Sequence, residues 1–289
     1  KMRKILRWIY RIFVKIFSGH GLGRRCRFIR VIHEYLAFNL KTNCSIVQGH
    51  KMFLDPLDTL GLSLKEVYEP FETEIVKEKI KKGDVVLDIG ANIGYYTLIF
   101  ARIVGENGKV FAFEPDPTNF SLLKKNVEIN GYKNVELMQK AVSNKTEKIK
   151  LYLSRDNSGD HRIYDSSDGR QSIEIESIRL DDYFKDYNGA INFIKMDIQG
   201  AEGGVVQGMS NLLGKQKNIT IITEFWPIGL KRFGVEPDEC LNLLLNSGFK
   251  LYELNQRKKI IMPVDIQKLL EIYTPEKENY TNLLCVKEK

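Results

Sequence analysis

Closely spaced cysteines are missing from this sequence: Cys26, Cys44, Cys240 and Cys285 lie far apart, with no Cys-x-x-Cys pair and no nearby histidine that suggests a metal site. Their absence excludes the familiar zinc spacings and suits a reducing, cytoplasmic setting. An uninterrupted apolar run at the start is also missing, because Arg7, Arg11 and Lys15 break the stretch Ile5 to Phe17. Neither a signal peptide nor a membrane-spanning helix, which needs about 20 mostly apolar residues, is expected there. Low-complexity tracts are absent too, and 43% hydrophobic with 28% charged residues is an ordinary globular composition.

Acidic residues are scarce in one region only. Residues 1–50 hold eleven Lys or Arg against a single acid, Glu34, a net +10, so of the overall +7 the remaining 239 residues carry −3. A nucleic-acid enzyme would be expected to spread its basic residues around the active site, since phosphate contacts supply most of the affinity. Within residues 1–17, helical spacing puts Lys1, Lys4, Arg7, Arg11 and Lys15 on one face and Ile5, Ile9, Ile12, Phe13, Ile16 and Phe17 on the other. Two readings stay open: peripheral attachment to an anionic surface, such as the inner face of a membrane, or to an acidic partner; and packing of the apolar face on the domain.

After the breaker run Ser18 to Gly23, Arg24 to Leu40 is expected to be helical, and Ile46 to Leu54 reads as a hairpin turning at Gln48 to His50. Pro56 and Gly61 punctuate a connector, and Pro70 to Lys82 fits a helix with proline at its first position. The expected division is a basic helical segment with a hairpin over 1–69 and a catalytic-size domain over 70–289. In the latter, strands alternate with helices, which predicts an α/β fold with a mostly parallel sheet and helices on both faces. Seven strands are expected: Val85 to Asp88, Lys109 to Glu114, Val135 to Lys140, Ile191 to Asp197, Ile219 to Phe225, Phe249 to Leu254 and Asn282 to Val286. The intervening helices are Tyr95 to Val104, Pro117 to Asn130, Glu202 to Leu213 and Pro237 to Ser247, and Ser154 to Gln171 is a long polar loop. Loops of that length are usually functional or disordered.

Gly90-Ala91-Asn92-Ile93-Gly94 follows an apolar strand and opens a helix, so the backbone can pass close to a ligand at the carboxyl end of the sheet. Asp88 puts a carboxylate where a pyrophosphate is repelled and a cationic amino-acid group is welcome. Glu114 closes the next strand, where an acid can accept hydrogen bonds from two ribose hydroxyls. Asn92 stands at the middle glycine of a dinucleotide fingerprint, so the pattern favours a sulfonium amino-acid cofactor over a nicotinamide. Asp197 and Glu224 end adjacent strands facing the same crevice and are candidates for acid–base work, or Asp197 only positions the cofactor while Glu202 caps its helix. His161, in the long loop, is a candidate general base or substrate contact, or an incidental loop residue.

With MFLDPLD from Met52, VYEPFE over Val67 to Glu72, VVLDIGANIGYYTL, VFAFEPDP, LLKKNVEINGYKNVEL, IKMDIQGAE and ITEFWP in this order, the chain resembles the FkbM family of class I methyltransferases. The resemblance covers roughly residues 50 to 255 and implies a seven-stranded Rossmann-like methyltransferase sheet, S-adenosyl-L-methionine as cofactor, and O-methylation of a hydroxyl on a sugar, glycan or other small metabolite. It maps the cofactor residues onto Asp88, Gly90, Asn92, Gly94 and Glu114, with Tyr68 and Glu69 closing over the site. One departure stands out: Gln199 replaces the first glutamate of Asp-x-Glu-Gly-x-Glu, so no metal ligand is assigned and metal dependence is in doubt. Two alternatives are a nucleic-acid methyltransferase and a non-catalytic, membrane-associated binding protein of the same fold. The run Asp-Ile-Gln-Gly in place of Asn/Asp-Pro-Pro-aromatic argues against the first.

Overall fold

A computed structural model describes residues 42–288; the helices expected over 1–17 and Arg24 to Leu40 lie outside them. The chain divides into two units, residues 1–68 and 69–289. In the first, β1 (Cys44–Val47) and β2 (His50–Phe53) form an antiparallel hairpin with Val47 opposite His50. Its turn residues Gln48 and Gly49 have φ of 50° and 81°. Two positive φ values in a two-residue turn match the twist of the flanking strands, so the expected hairpin closes tightly.

The second unit runs α1 (Pro70–Lys79), β3 (Val85–Ile89), α2 (Tyr95–Val104), β4 (Lys109–Phe113), α3 (Pro117–Ile129), β5 (Val135–Met138), β6 (Ala141–Ser143), β7 (Lys148–Leu153) and β8 (Gln171–Arg179). It continues with α4 (Leu180–Tyr183), β9 (Phe193–Met196), α5 (Glu202–Gly208), α6 (Ser210–Lys215), β10 (Ile219–Phe225), α7 (Pro227–Phe233), α8 (Pro237–Asn246), β11 (Lys250–Asn255), β12 (Ile260–Pro263), α9 (Ile266–Ile272), a 3-10 turn at Pro275–Lys277 and β13 (Thr281–Lys287).

The large sheet has the order β12-β11-β13-β10-β9-β3-β4-β5. Strands β5, β4, β3, β9 and β10 run parallel, and β13 inserts antiparallel between β10 and β11. This is the Rossmann-like methyltransferase sheet expected, with one strand more than the seven counted, because Ile260–Pro263 pairs with β11 at the edge. The central strands are parallel and covered on both faces, and accordingly Val86 to Ile89 and Phe193 to Met196 are buried without alternation. Phe100, Phe113, Phe193 and Phe225 are fully buried in this core, each contributing roughly 1.5–3 kcal/mol of burial.

Two features differ from the sequence expectation. A three-stranded sheet, order β6-β8-β7, stands apart from the large one. The single helix expected over Glu202 to Leu213 is two, broken at Met209, whose φ of −122° leaves the helical region. Gly208 lies against the carbonyl of Ser143, an approach that a side chain there would prevent. No helix of the described residues is long and apolar enough to cross a membrane.

Candidate functional site

The carboxyl ends of β3, β4 and β9 border an open cleft of about 530 Å³, solvent at its mouth included. Gly90, Asn92, Glu114, His161 and Asp197 line it. The turn after β3 is fixed by the neighbouring strand: the N–H groups of Gly90 and Ala91 both donate to the Phe113 carbonyl, at 3.0 and 2.9 Å. Asn92 N–H donates to Glu114 Oε2 at 2.8 Å, and Asp116 N–H to Glu114 Oε1 at 2.9 Å. Each carboxylate oxygen therefore holds one backbone donor and keeps acceptor capacity for a ligand hydroxyl. Burial pushes the Glu114 carboxyl up to about 8, against the pull of those two N–H donors.

The cleft is also lined by Ala141, Val142, Leu151 and Ile163, apolar residues brought by β6, β7 and the loop between β7 and β8. That loop is strapped down. Asp160 holds Arg162 at 2.8 Å and Arg170 at 2.7 Å, and Asn119 Nδ2 donates to the Ser158 carbonyl at 2.9 Å, tying the loop to the first turn of α3. An apolar slot beside a carboxylate with spare acceptor capacity fits a purine ring and its ribose, so these residues fit S-adenosylmethionine.

Not every expected cofactor residue reaches the cleft. Asp88 is 2% exposed beneath the turn, where Thr97 Oγ1 donates to its Oδ2 at 2.5 Å, and burial raises it to about 6. It lies under the lining rather than in it, because α2 brings Thr97 over its carboxylate. Gly94 is required by φ of 93° at the start of α2, not by the cleft. Glu69, with φ of 42° just before Pro70, accepts from the Tyr96 hydroxyl at 3.0 Å, and burial, then the charge of Glu72, pushes it up to about 8. Tyr68, half-buried, is the last residue of the first unit and is described with that unit.

Asp197 follows β9, and the register Met196 opposite Thr223 brings Glu224 of β10 beside it. Asp197 lines the cleft with its side chain 29% exposed, Oδ1 accepting from Gln199 Nε2 at 2.8 Å. Gln199, standing where the family pattern has glutamate, thus orients Asp197 from φ of 57°. Glu202 accepts from the N–H groups of Ile198 and Gly200, at 3.1 and 2.9 Å, and clasps that loop. Glu224 Oε2 is buried without a hydrogen-bond partner among the described residues. Burial, then the charge of Asp197, raises its carboxyl well above the usual range, and Glu224 is not among the residues that line the cleft.

His161 lines the cleft, but its Nδ1 accepts from Ser154 N–H at 3.0 Å while Nε2 faces Asp116 Oδ2 at 3.9 Å. The lone pair a base needs is thereby engaged by the backbone, which corrects the expectation of a general base: His161 anchors its loop. Burial lowers its affinity for a proton. Among the described residues no group of three or more His, Cys, Asp or Glu is arranged to hold a metal ion.

The sequence reading missed a buried ion pair behind Asp197. Lys195 Nζ sits 3.1 Å from Glu72 Oε1 and 3.7 Å from Asp197 Oδ2, over the ring of Tyr96 at 5.3 Å. A lysine inside a buried parallel strand was the available signal, since such a charge requires a partner.

A parallel sheet with this glycine turn, ribose-fitting acid and crevice carboxylate defines a class I methyltransferase that uses S-adenosylmethionine. The chain belongs to the FkbM methyltransferase family, whose domain model, Methyltransferase FkbM domain, matches residues 88–251. Among curated relatives, the hexuronic acid methyltransferase AglP of Haloferax volcanii is 29% identical over 174 residues, 59% of this chain and 65% of that protein. The 2-O-methyltransferase NoeI of Sinorhizobium fredii is 29% identical over 163 residues, 50% of this chain and 65% of that protein. The match thus spans less than two thirds of each of these relatives. Among solved structures, Aeropyrum pernix fibrillarin with natively bound S-adenosyl-L-methionine has a TM-score of 0.42 and 12% identity, covering 75% of this chain and 74% of that one.

Proposed function

We propose that this chain transfers a methyl group from S-adenosylmethionine to a hydroxyl oxygen of a sugar or glycan-linked acceptor. The observation that carries the reading is the placement of Asp197, a partly exposed carboxylate in the cofactor cleft whose other contacts hold it in one orientation. When bound, the cofactor supplies an electrophilic methyl group. The protein has to align an acceptor oxygen and accept its proton as that oxygen attacks. Asp197 is the group placed to take the proton.

The two relatives named for sugar chemistry support the acceptor class. So does Tyr280, which is 60% exposed and close enough to Glu224, Glu69 and Asp197 to feel their charges. An exposed aromatic ring beside carboxyl groups offers a sugar both an apolar surface and hydrogen-bond acceptors. Incubation with methyl-tritiated S-adenosylmethionine and fractionated extract tests the reading. Label is expected in a carbohydrate fraction as an ether that survives mild alkali, and Asp197→Asn is expected to abolish it. Label in RNA, or release of labelled methanol by alkali, counts against it.

A further inference from the structure

Lys195 is the one charged residue inside β9, and its surroundings explain more than its tolerance there. Glu72, fully buried on α1, accepts from Lys195 with Oε1 and from Asn282 Nδ2 with Oε2, at 3.1 and 2.5 Å. The Tyr96 hydroxyl, whose proton is shared between Glu69 at 3.0 Å and Glu72 at 3.4 Å, lies beside the pair, and the Tyr96 ring closes over the ammonium. Helix α1, helix α2 and strand β13 therefore converge to hold one lysine. Its remaining direction is toward Asp197 Oδ2, at 3.7 Å. The contacts of Asp197 are thus divided: a fixed ammonium beside one oxygen, a side-chain amide on the other, and the cleft.

We propose that Lys195, clamped by Glu72, is a positioning residue that sets the charge state and orientation of Asp197 for its role in the cleft. The inference rests on the reading of Asp197 as the proton acceptor.

The electrostatic case comes from what else surrounds Asp197. Glu69 before α1, Asp88 on β3, Glu202 on α5 and Glu224 on β10 all lie within reach of its charge, and Tyr280 faces the same group. Burial raises each of those four carboxyls, to about 8, about 6, about 7 and well above the usual range respectively. Asp197 thus stands in a concentration of acidic groups, and only as a carboxylate can it accept a proton from the acceptor. Lys195 is the cation that favours the carboxylate, and burial against Glu72 keeps it in place. Without Glu72 the same ammonium would be drawn wholly onto Asp197, covering the oxygen that the acceptor must reach.

The arrangement predicts opposite responses to two changes. In Glu72→Gln, Lys195 loses its competing partner and acts on Asp197 alone. In the double variant Glu72→Gln/Lys195→Met, the pair is replaced by neutral side chains of similar volume, so no buried charge is orphaned and the fold is preserved. The full chain, labelled with [13Cγ]aspartate and loaded with S-adenosylhomocysteine, reports the titration directly, the Asp197 signal being the one lost in Asp197→Asn. The midpoint is expected to fall in Glu72→Gln and to rise by about one pH unit, tenfold in proton affinity, in the double variant. A midpoint that stays put in both variants overturns the proposal, because a merely structural ion pair would change stability alone. Methyl transfer by Asp197→Asn tests the underlying reading separately: full activity there removes the proton-acceptor role whatever the midpoints do.

Discussion

The carbonyl oxygen of Asp197 occupies the space that a Cβ on Gly90 would require. The glycine turn and the crevice carboxylate are therefore one packed junction between the ends of β3 and β9. Gly90 also has φ of 82°, so Gly90→Ala meets both a backbone clash and a left-handed strain. Its expected cost is on the order of 3 kcal/mol, read as a lower urea midpoint. A variant as stable as the parent would show that the junction rearranges freely.

Cofactor binding at Glu114 is expected to depend on pH. The carboxyl's folded value of about 8 stands above the ordinary 4.5, so the protonated form stabilises the ligand-free fold. That stability is complete below about 4.5 and is lost as pH rises through about 8. Two ribose hydroxyls are best accepted by the ionised form, so affinity for S-adenosylhomocysteine is expected to increase toward pH 8 with proton release, seen by calorimetry in buffers of different ionisation enthalpy. Glu114→Gln should bind about 10- to 100-fold more weakly, the worth of charge-assisted hydrogen bonds. It should also flatten the decline in ligand-free stability between pH 5 and 9.

Lys195→Met alone leaves Glu72 buried without its cation and is expected to cost about 3–5 kcal/mol. Glu72→Gln/Lys195→Met should recover most of that loss. Chemical denaturation of the three proteins compares them. Equal stability of the single and double variants would mean that the pair is solvated.

His161→Ala removes the acceptor for Ser154 N–H. Amides around Ser154 to Asp160 should exchange faster and cofactor affinity should drop several-fold, with the pH profile of methyl transfer unchanged in shape. Loss of a titrating limb would restore His161 as the base.

Legibility in the sequence followed the range of the interactions. Helix Tyr95–Val104 and strand Ile219–Phe225 form residue for residue where expected, because Gly94 and Gly105 bracket the one and the β-branched run Ile219 to Thr223 marks the other. The cleft acids Glu114 and Asp197 were legible because each directly follows a strand, whereas Glu224 does not line the cleft. Other parts depend on distant partners. β7 and β8 pair with each other across a long polar loop, and the apolar lining that β6, β7 and this loop bring to the cleft has no local signature. Asp88 stands in the expected motif, yet Thr97, nine residues on, covers it. Glu72 and Lys195 meet across more than a hundred residues, so neither announces the other.

The hydrogen bond from Asn282 to Glu72 joins positions 210 apart in the sequence. During translation α1, β3 and β9 all leave the ribosome before β13 does, so a nascent chain can shape the glycine turn while the Lys195 clamp is still incomplete. Because β13 lies between β10 and β11, loss of this strand would open the sheet and release Glu72 from Asn282 together, so the setting of Lys195 is tied to the integrity of the C-terminal strand.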